Sequence, residues 1–142
     1  MGIANLCCLL CLLIDIESLD LSNSQLEGPI PEELGELINL KVLRLNYNDL
    51  TGTIPRQIGG LYGLEELYLH GNNFQGTIPA ELGLCAQLVK LELNMNDLEG
   101  PIPSQIFGSF RLKCLKLNNN RLTGTIPSSI SELQHLETRK FV

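Results

Sequence analysis

The sequence predicts an α/β solenoid made of five stacked repeats, because one pattern recurs every 24 residues through most of the 142-residue chain. The five segments begin at Ile16, Leu40, Leu64, Leu88 and Leu112. Neither an insertion nor a deletion interrupts the pattern between residues 16 and 135. One repeat of this size cannot bury its own apolar face, whereas stacked neighbours can, so we expect one continuous core.

A short strand is predicted near the start of each repeat, with alternate side chains pointing inward as the period-two geometry of strands requires. The fourth position of every repeat is leucine: Leu19, Leu43, Leu67, Leu91 and Leu115. The sixth position is leucine as well: Leu21, Leu45, Leu69, Leu93 and Leu117. If the repeats stack in register with parallel strands, each set of leucines forms a buried row.

The rest of each repeat supplies turns and the second side of the core. The ninth position is polar in all five repeats: Ser24, Asn48, Asn72, Asn96 and Asn120. We expect the asparagines to be buried at a turn and to bond backbone groups of their own and the neighbouring coil. A glycine then permits a tight turn, and an Ile-Pro pair ends the local strand. Apolar residues further along are expected to cover the other side of the core: Leu34, Ile58, Leu82, Ile106 and Ile130.

The assembled motif, LxxLxLxxNxLxGxIPxxLGxLxx, resembles the plant-type leucine-rich repeat of receptor-like kinases, receptor-like proteins and polygalacturonase inhibitors. The resemblance covers residues 16–135, and the GxIP element is specific to that subfamily. It implies a right-handed leucine-rich-repeat superhelix with a concave parallel β-sheet and short extended or 3₁₀ segments on the convex side. It also implies a protein- or peptide-binding module in cell-surface signalling, outside the cell or at the plasma-membrane surface.

Three features depart from that family pattern. The cysteine-and-tryptophan cap that usually precedes such repeats is missing from the sequence. Ser109 replaces an inward leucine in the fourth repeat, and we expect Phe107 and Phe110 to fill the gap. Residues 136–142 form a truncated sixth repeat, with Arg139 at an inward-facing position. Because solenoids need polar caps for solubility, these features favour a fragment or a truncated gene product.

Residues 1–15 form an apolar N-terminal segment that is either a weak signal-like sequence or the remnant of a preceding repeat. The apolar run covers residues 6–14, but it lacks a basic region before it and a small-residue cleavage site after it. No run of 18 or more apolar residues occurs, so we predict no transmembrane helix and expect membrane attachment only through a segment not present here. The sequence also contains no N-x-S/T glycosylation site, which mildly weakens the extracellular assignment.

Composition and motifs exclude several function classes. The net charge of −6 and the pI near 4.8 disfavour nucleic acid and anionic membranes as partners. The five cysteines lack metal-like spacing and the two histidines are far apart, so we expect no metal and no cofactor. Nucleotide-binding loops, a GxSxG elbow and an HExxH motif are missing. We therefore expect no enzymatic activity.

The remaining cysteines and histidines of the repeats are expected to be structural. Cys85 replaces an inward leucine and is predicted to be a buried thiol. Cys114 lies on the variable face, where nothing evident would lower its pKa. We expect both His70 and His135 to be exposed surface histidines.

Charges alternate along the columns of the predicted concave face. Stacking brings together Asp20 and Arg44, Glu92 and Lys116, Glu66 and Lys90, and the series Glu17, Lys41 and Glu65. In one interpretation these side chains mainly satisfy each other across the strands, each pair contributing about 0–1 kcal/mol.

A second interpretation concerns side chains of the middle strands that could form a partly apolar patch beside these charge pairs. Aromatic and methionine side chains bring contact area to a partner at little loss of rotamer freedom, so they suit a binding anchor. The candidate ligand-binding residues are the apolar or aromatic Tyr47, Tyr68, His70 and Met95, flanked by the charged Arg44 and Glu92.

Three alternatives to the receptor-like binding module stay open. The chain could be a secreted polygalacturonase-inhibitor-like defence protein, for which a basic concave patch would be expected where this one has mixed charge. It could also be the non-catalytic piece of a receptor kinase, or a non-functional fragment.

Overall fold

Short strands and 3₁₀ helices alternate along the chain in a computed structural model that describes residues 15–133 and 135–141. The predicted apolar segment 1–15 therefore lies, except for Asp15, outside the described residues. The strands are β1 (Ser18–Asp20), β2 (Glu27–Pro29), β3 (Val42–Arg44), β4 (Asp49–Thr51), β5 (Glu66–Tyr68), β6 (Lys90–Glu92), β7 (Glu99–Pro101), β8 (Cys114–Lys116), β9 (Arg121–Thr123) and β10 (Thr138–Lys140). The 3₁₀ helices are Glu32–Glu36, Arg56–Gly60, Ala80–Leu84, Ser104–Gly108 and Ser128–Glu132.

The main sheet has six parallel strands in the order β1-β3-β5-β6-β8-β10. Its register follows the sequence repeat, because each residue is paired with the residue 24 positions further along: Leu19 faces Leu43, and Leu91 faces Leu115. The predicted stack of parallel strands is confirmed. The sixth strand comes from residues that follow the fifth segment, and Thr138 pairs with Cys114 in the same register.

Smaller parallel pairings form after the sheet strands, between β2 and β4 and between β7 and β9. Here the register is 22 residues, since Glu27 faces Asp49 and Glu99 faces Arg121. The isolated bridge between Thr53 and Gln75 has the same spacing. Neighbouring coils are thus staggered by two residues on this side relative to the main sheet. The sequence repeat predicts the extended segments but not this stagger, which comes from how the coils pack.

A 3₁₀ helix on the far side of each coil follows the proline of the Ile-Pro pair. Pro31, for example, has φ −68° and ψ 139° and immediately precedes Glu32–Glu36. Proline fixes φ and lacks an N–H that an N-terminal helical position would leave unbonded. It therefore begins the helix as well as ending the strand. Among the described residues, no helix is long and apolar enough to cross a membrane.

The core lies between the sheet and the 3₁₀ helices. The leucines Leu43, Leu67, Leu91 and Leu115 are fully buried in one row, as predicted. Leu19 is only half-buried, although it belongs to the same row. It lies in β1, the first strand of the sheet order, and packs on one neighbouring strand.

Asparagines form a second row beside the leucines and confirm the predicted role of the ninth position in four repeats. Asn48, Asn72 and Asn96 are buried and Asn120 is half-buried, whereas Ser24 in the first repeat is exposed. The Asn72 amide nitrogen donates to the carbonyl oxygens of Leu45 and Leu69, at 3.0 Å each, and its Oδ1 accepts from the Leu50 N–H at 3.1 Å. Asn48, Asn96 and Asn120 make equivalent bonds. Each side chain therefore joins the backbones of neighbouring coils and satisfies groups that would otherwise be buried without partners.

The irregular fourth repeat is accommodated by one phenylalanine rather than two. Phe107 is fully buried in the core, as expected, whereas Phe110 is 66% exposed, so the prediction that it fills the gap is wrong. Ser109 is buried, and its hydroxyl donates to the carbonyl oxygen of Cys85 at 3.1 Å. This bond gives the buried hydroxyl a partner. Cys85 is buried as predicted, and burial raises the pKa of its thiol to about 11.

Candidate functional site

The sheet face is the surface formed by side chains on either side of the buried leucines in the main-sheet strands, together with the residues that follow each strand. Stacking in register brings equivalent residues of neighbouring coils side by side there. Backbone hydrogen bonds between the coils hold the strands in place. The chemistry of this surface is therefore set by which side chain each coil contributes.

Glu66 is the centre of a charged cluster at the middle of the sheet face. The Arg44 guanidinium lies 2.9 Å from Glu66 Oε2, and the Lys90 ammonium lies 3.0 Å from Oε1. The Tyr68 hydroxyl donates to Oε2 at 3.0 Å. Burial acts to raise the pKa of Glu66, but the hydrogen bonds from Lys90 and Tyr68 and the nearby Arg44 charge outweigh it and lower the pKa. Glu66 is therefore ionised at neutral pH.

Three of the predicted charge pairs on the sheet face are present, whereas Asp20–Arg44 and Lys41–Glu65 are not formed, so these two predictions are wrong. Lys90 contacts Glu66, Lys116 contacts Glu92 at 2.8 Å, and Lys41 contacts Glu17 at 2.8 Å. Arg44 pairs with Glu66 and not with Asp20, whose carboxylate accepts hydrogen bonds from the backbone and hydroxyl of Ser22. The arginine reaches the carboxylate of the following coil, and the short Asp20 side chain is held within its own turn.

A second cluster surrounds Glu92 and is nearly closed to solvent. Glu92 and His70 are each 9% exposed, so the expectation that His70 is an exposed surface histidine is wrong. His70 Nδ1 lies 3.4 Å from Glu92 Oε2 but makes no hydrogen bond within the described part of the chain. Burial lowers the pKa of His70, with the Lys116 charge acting in the same direction and Glu92 opposing it. The imidazole is therefore neutral at pH 7.

Cys114 borders this second cluster. Its thiol donates to Glu92 Oε1 at 3.7 Å. Burial and the Glu92 charge raise its pKa, so the thiol stays protonated and is a poor nucleophile. His135 is exposed, as expected.

The aromatic rings of the candidate site meet around His70. The Tyr47 ring is edge-on to the imidazole at a centroid distance of 4.8 Å, and the Tyr68 ring is edge-on to it at 6.2 Å. Arg44 lies 5.0 Å from the centre of the Tyr68 ring, within the range of a cation–π contact. Five of the six predicted residues are thus joined side chain to side chain: Arg44, Tyr47, Tyr68, His70 and Glu92.

Met95, the sixth predicted residue, lies in the turn after β6. It is connected to the third coil through its backbone, whose carbonyl oxygen accepts hydrogen bonds from the N–H groups of Gly71 and Asn72 at 3.1 and 3.2 Å. Its side chain is 47% exposed, and that of Tyr47 is 50% exposed. We call Tyr47, Tyr68, His70 and Met95 the anchor patch.

Tyr47 and Met95 also share an unfavourable backbone conformation. Their φ angles are +55° and +58°, and the same repeat position is left-handed in the other coils, where it holds Asn23, Gly71 and Asn119. Asparagine and glycine adopt this conformation readily, whereas other residues are strained by roughly 1–2 kcal/mol. Two large, half-exposed side chains therefore occupy positions where the fold itself favours asparagine or glycine.

Two further residues of this site could have been found from the sequence columns. Glu66 was not included in the predicted site, although a cation stands on either side of it in neighbouring strands. Gly71 was also missed: a Cβ built there would lie 2.6 Å from Tyr47 Cδ1, so the tyrosine ring rests against the glycine backbone. The signal for Gly71 is the eighth-position column, in which asparagine gives way to tyrosine, glycine and methionine in consecutive coils.

The arrangement is suited to recognition. Each buried carboxylate of the sheet face has cationic or hydrogen-bonding partners, and the thiol beside Glu92 is protonated. Within residues 15–133 and 135–141, no group of three or more His, Cys, Asp or Glu side chains could hold a metal ion.

Comparison with known proteins gives consistent results for fold and family. Sequence profiles described as leucine rich repeat match residues 14–74, 38–98 and 111–133. A comparison with curated proteins gave no significant match.

Solved structures of receptors align over most of the chain. A TDR receptor structure is 34% identical with a TM-score of 0.87, over 88% of this chain and 22% of the other. The Arabidopsis receptor kinase HAESA, solved with the peptide hormone IDA and the co-receptor SERK1, is 36% identical with a TM-score of 0.87, over 89% of this chain and 21% of the other. The BIR3–SERK2 complex from Arabidopsis thaliana is 41% identical with a TM-score of 0.76, over 85% and 66%. The chain thus spans about a fifth of the two larger receptors.

Proposed function

Since the chain belongs to the leucine-rich repeat family, of the plant receptor type, we propose that it is a non-catalytic module that binds a peptide or protein. The partner lies across the sheet face, which we take to be the concave side, and the anchor patch is its central contact. One observation carries the proposal: Tyr47 and Met95 are large, half-exposed and held in left-handed conformations. Folding alone does not favour such side chains there, whereas binding a partner does.

The contacts around the patch support a preorganised surface. Tyr68 is fixed by its hydrogen bond to Glu66 and by the Arg44 guanidinium over its ring. His70 is held between Tyr47 and the Glu92 carboxylate. Side chains that are already ordered lose little rotamer freedom when a partner binds, which favours affinity.

The solved structures support the cell-surface setting of this proposal. HAESA was solved with a peptide hormone and a co-receptor, and SOBIR1, 32% identical over 87% of this chain, was solved as a receptor-kinase ectodomain. By this likeness the chain acts outside the cell or at the plasma-membrane surface. Its partners are a peptide or a second receptor, with no nucleic acid, metal or cofactor.

The repeat boundaries form part of the same proposal. Residues 16–135 make five repeats, and residues 136–142 begin a sixth. The pairing of β10 with β8 in the 24-residue register supports the start of a sixth coil.

The test is a selection of binding peptides from an unbiased displayed library, followed by affinity measurements on variants. Tyr47→Asn and Met95→Asn place the residue found at the same position in Asn23 and Asn119, so the fold is retained. Each change should weaken binding of the selected peptides about tenfold or more, as expected for a central contact.

Tyr62→Ala is the matched control, because Tyr62 is a 66% exposed tyrosine in the turn before the third sheet strand. Its loss should leave affinity unchanged. Selected peptides that lose affinity with Tyr62→Ala but not with Tyr47→Asn would overturn the assignment of the anchor patch.

A further inference from the structure

Charge on the sheet face is divided between its two halves. The first three sheet segments (residues 17–20, 41–44 and 65–68) carry four carboxylates and two cations, a net charge of −2. The last three (residues 89–92, 113–116 and 137–140) carry two carboxylates and, leaving out Arg139 in the inward-facing row, four cations, a net charge of +2. The face therefore has an acidic half and a basic half, and the anchor patch lies at the middle.

This division is specific to the sheet face. The whole chain has 10 cations and 16 carboxylates. The six segments of the sheet face, without Arg139, hold six of those cations and six of those carboxylates, so the remainder of the chain has four cations, ten carboxylates and a net charge of −6. A basic half on an otherwise acidic molecule creates a local potential that attracts anionic groups to one end of the surface.

Some of these charges are not used in ion pairs within the described residues. In the acidic half, Asp20 and Glu65 lie more than 4 Å from any cationic group; in the basic half, the same holds for Lys140 relative to carboxylates. By contrast, Glu66 and Glu92 near the centre are already paired. Asp20 and Lys140 thus lie at the two ends of the face, Glu65 lies in the third coil, and the centre also offers aromatic and apolar contacts.

The distances between the strands set the separation of charged and apolar side chains in a complementary partner. Neighbouring strands lie about 4.8 Å apart, so β1 is roughly 10 Å from β5 and β10 is roughly 14 Å from β5 in the opposite direction. An extended peptide advances about 3.4 Å per residue. It therefore covers these two distances with about three and about four residues.

From this charge division we infer that the partner is an extended peptide segment with a basic side chain and an acidic side chain on opposite sides of an apolar residue. The apolar residue contacts the anchor patch. The basic side chain lies over the acidic half, near Asp20. The acidic side chain lies over the basic half, near Lys140. The inference rests on the proposed function and adds to it the charge pattern and the direction in which the segment lies.

Two capped synthetic peptides of identical composition test this inference by fluorescence anisotropy. In the first, a lysine precedes a phenylalanine by about three residues and a glutamate follows it by about four. In the second, the lysine and glutamate are adjacent at one end. The first should bind about fivefold tighter at low salt, because only it can form both exposed ion pairs. The difference should vanish near 1 M salt, where the screening length is about 3 Å.

A charge-exchanged protein supplies the matched variant. Asp20→Lys together with Lys140→Glu keeps the net charge and alters no observed ion pair, and it should abolish the preference for the first peptide. A photocrosslinker beside the glutamate should label residues 113–116 and 137–140 of the unaltered chain. Labelling of residues 17–20 and 41–44 instead would contradict the direction.

Equal affinity of the two peptides, or no binding of either, overturns the inference about charge. The selection of displayed peptides described above tests the proposed function separately. If the selected peptides lose affinity for Tyr47→Asn but lack separated charges, the inference about charge is wrong and the proposed function is still supported.

Discussion

The sheet face and the helical side of the solenoid follow different rules. On the helical side, glycine recurs where successive coils touch through their backbones, and a Cβ built on Gly35 would lie 2.5 Å from the carbonyl oxygen of Gln57 in the next coil. On the sheet face the same coils present glutamate, lysine, tyrosine or cysteine at equivalent positions without disturbing the 24-residue register. Positions at which the backbones of neighbouring coils are in contact accept few residue types. Positions whose side chains project outward accept many, so they can vary to suit a binding partner.

Between these two surfaces lies the row of buried asparagines, which is as constrained as the glycines for a different reason. Asn72, for example, accepts from the Leu50 N–H and donates to the Leu45 and Leu69 carbonyls, which it shares with the asparagines of the neighbouring coils. The comparison therefore predicts large losses of stability in the asparagine row, intermediate losses on the helical side and small effects on the sheet face.

The largest effect is expected for Asn72→Ala. It removes three hydrogen bonds and leaves the Leu50 N–H without its partner. The Leu45 and Leu69 carbonyls each lose one of two donors and keep the other, from Asn48 and Asn96 respectively. We expect the free energy of unfolding to fall by about 3 kcal/mol, measured by urea denaturation. Asn73→Ala is the control, since Asn73 is the exposed neighbour, and it should change stability by less than about 0.5 kcal/mol. Equal losses for the two variants would contradict the role of the asparagine row.

An intermediate effect is expected for Gly59→Ala on the helical side. The added methyl would collide with the backbone carbonyl of Glu81 in the next coil, so the coils must separate. We expect a loss of about 2 kcal/mol in the free energy of unfolding. Gly108→Ala is the matched control, because a Cβ there meets nothing within 4 Å. If Gly108→Ala proves as destabilising as Gly59→Ala, close backbone packing is not the reason for the glycine.

The smallest effect on stability is expected for His70, which lies on the sheet face but is buried. Burial lowers the pKa of folded His70 below its ordinary value of 6.5, so the unfolded chain binds a proton more readily. Native stability should therefore be fully present well above pH 6.5 and decline as the pH falls through that value. His70→Asn, which installs the residue present in the adjacent coils as Asn46 and Asn94, should remove this part of the pH dependence.

Thermal denaturation between about pH 8 and about pH 5 measures this effect and stays above the range in which Glu66 titrates. His135→Asn is the control, since His135 is exposed, and it should keep the slope of the native chain. An unchanged slope in His70→Asn would show that the buried imidazole is not the group responsible.

Much of the fold was predictable from the sequence, because the core depends on periodicity. The leucine rows, the asparagine row and the parallel strands all follow from residues that recur every 24 positions. The irregular places were less predictable. Phe107 and Phe110 are equally apolar in sequence, yet only Phe107 is buried.

The sequence predicted which residues lie in the candidate site but not which side chains contact each other there. Column alignment brought Arg44, Tyr68 and His70 to one region of the sheet face. It did not reveal that Arg44 pairs with Glu66, or that His70 is buried under Tyr47. Long side chains can reach several neighbours at similar distances. The alignment of strands therefore limits the possible contact partners of each side chain but does not determine which one it contacts.

The sequence by itself determined the solenoid, its 24-residue coil and the positions that face inward, because repeated apolar residues leave one way to bury them all. Only the tertiary structure decided the two-residue stagger on the helical side, the partners of each charge and the burial of His70. These depend on contacts between coils that are far apart in sequence, and their outcome is set by local space and by competing charges.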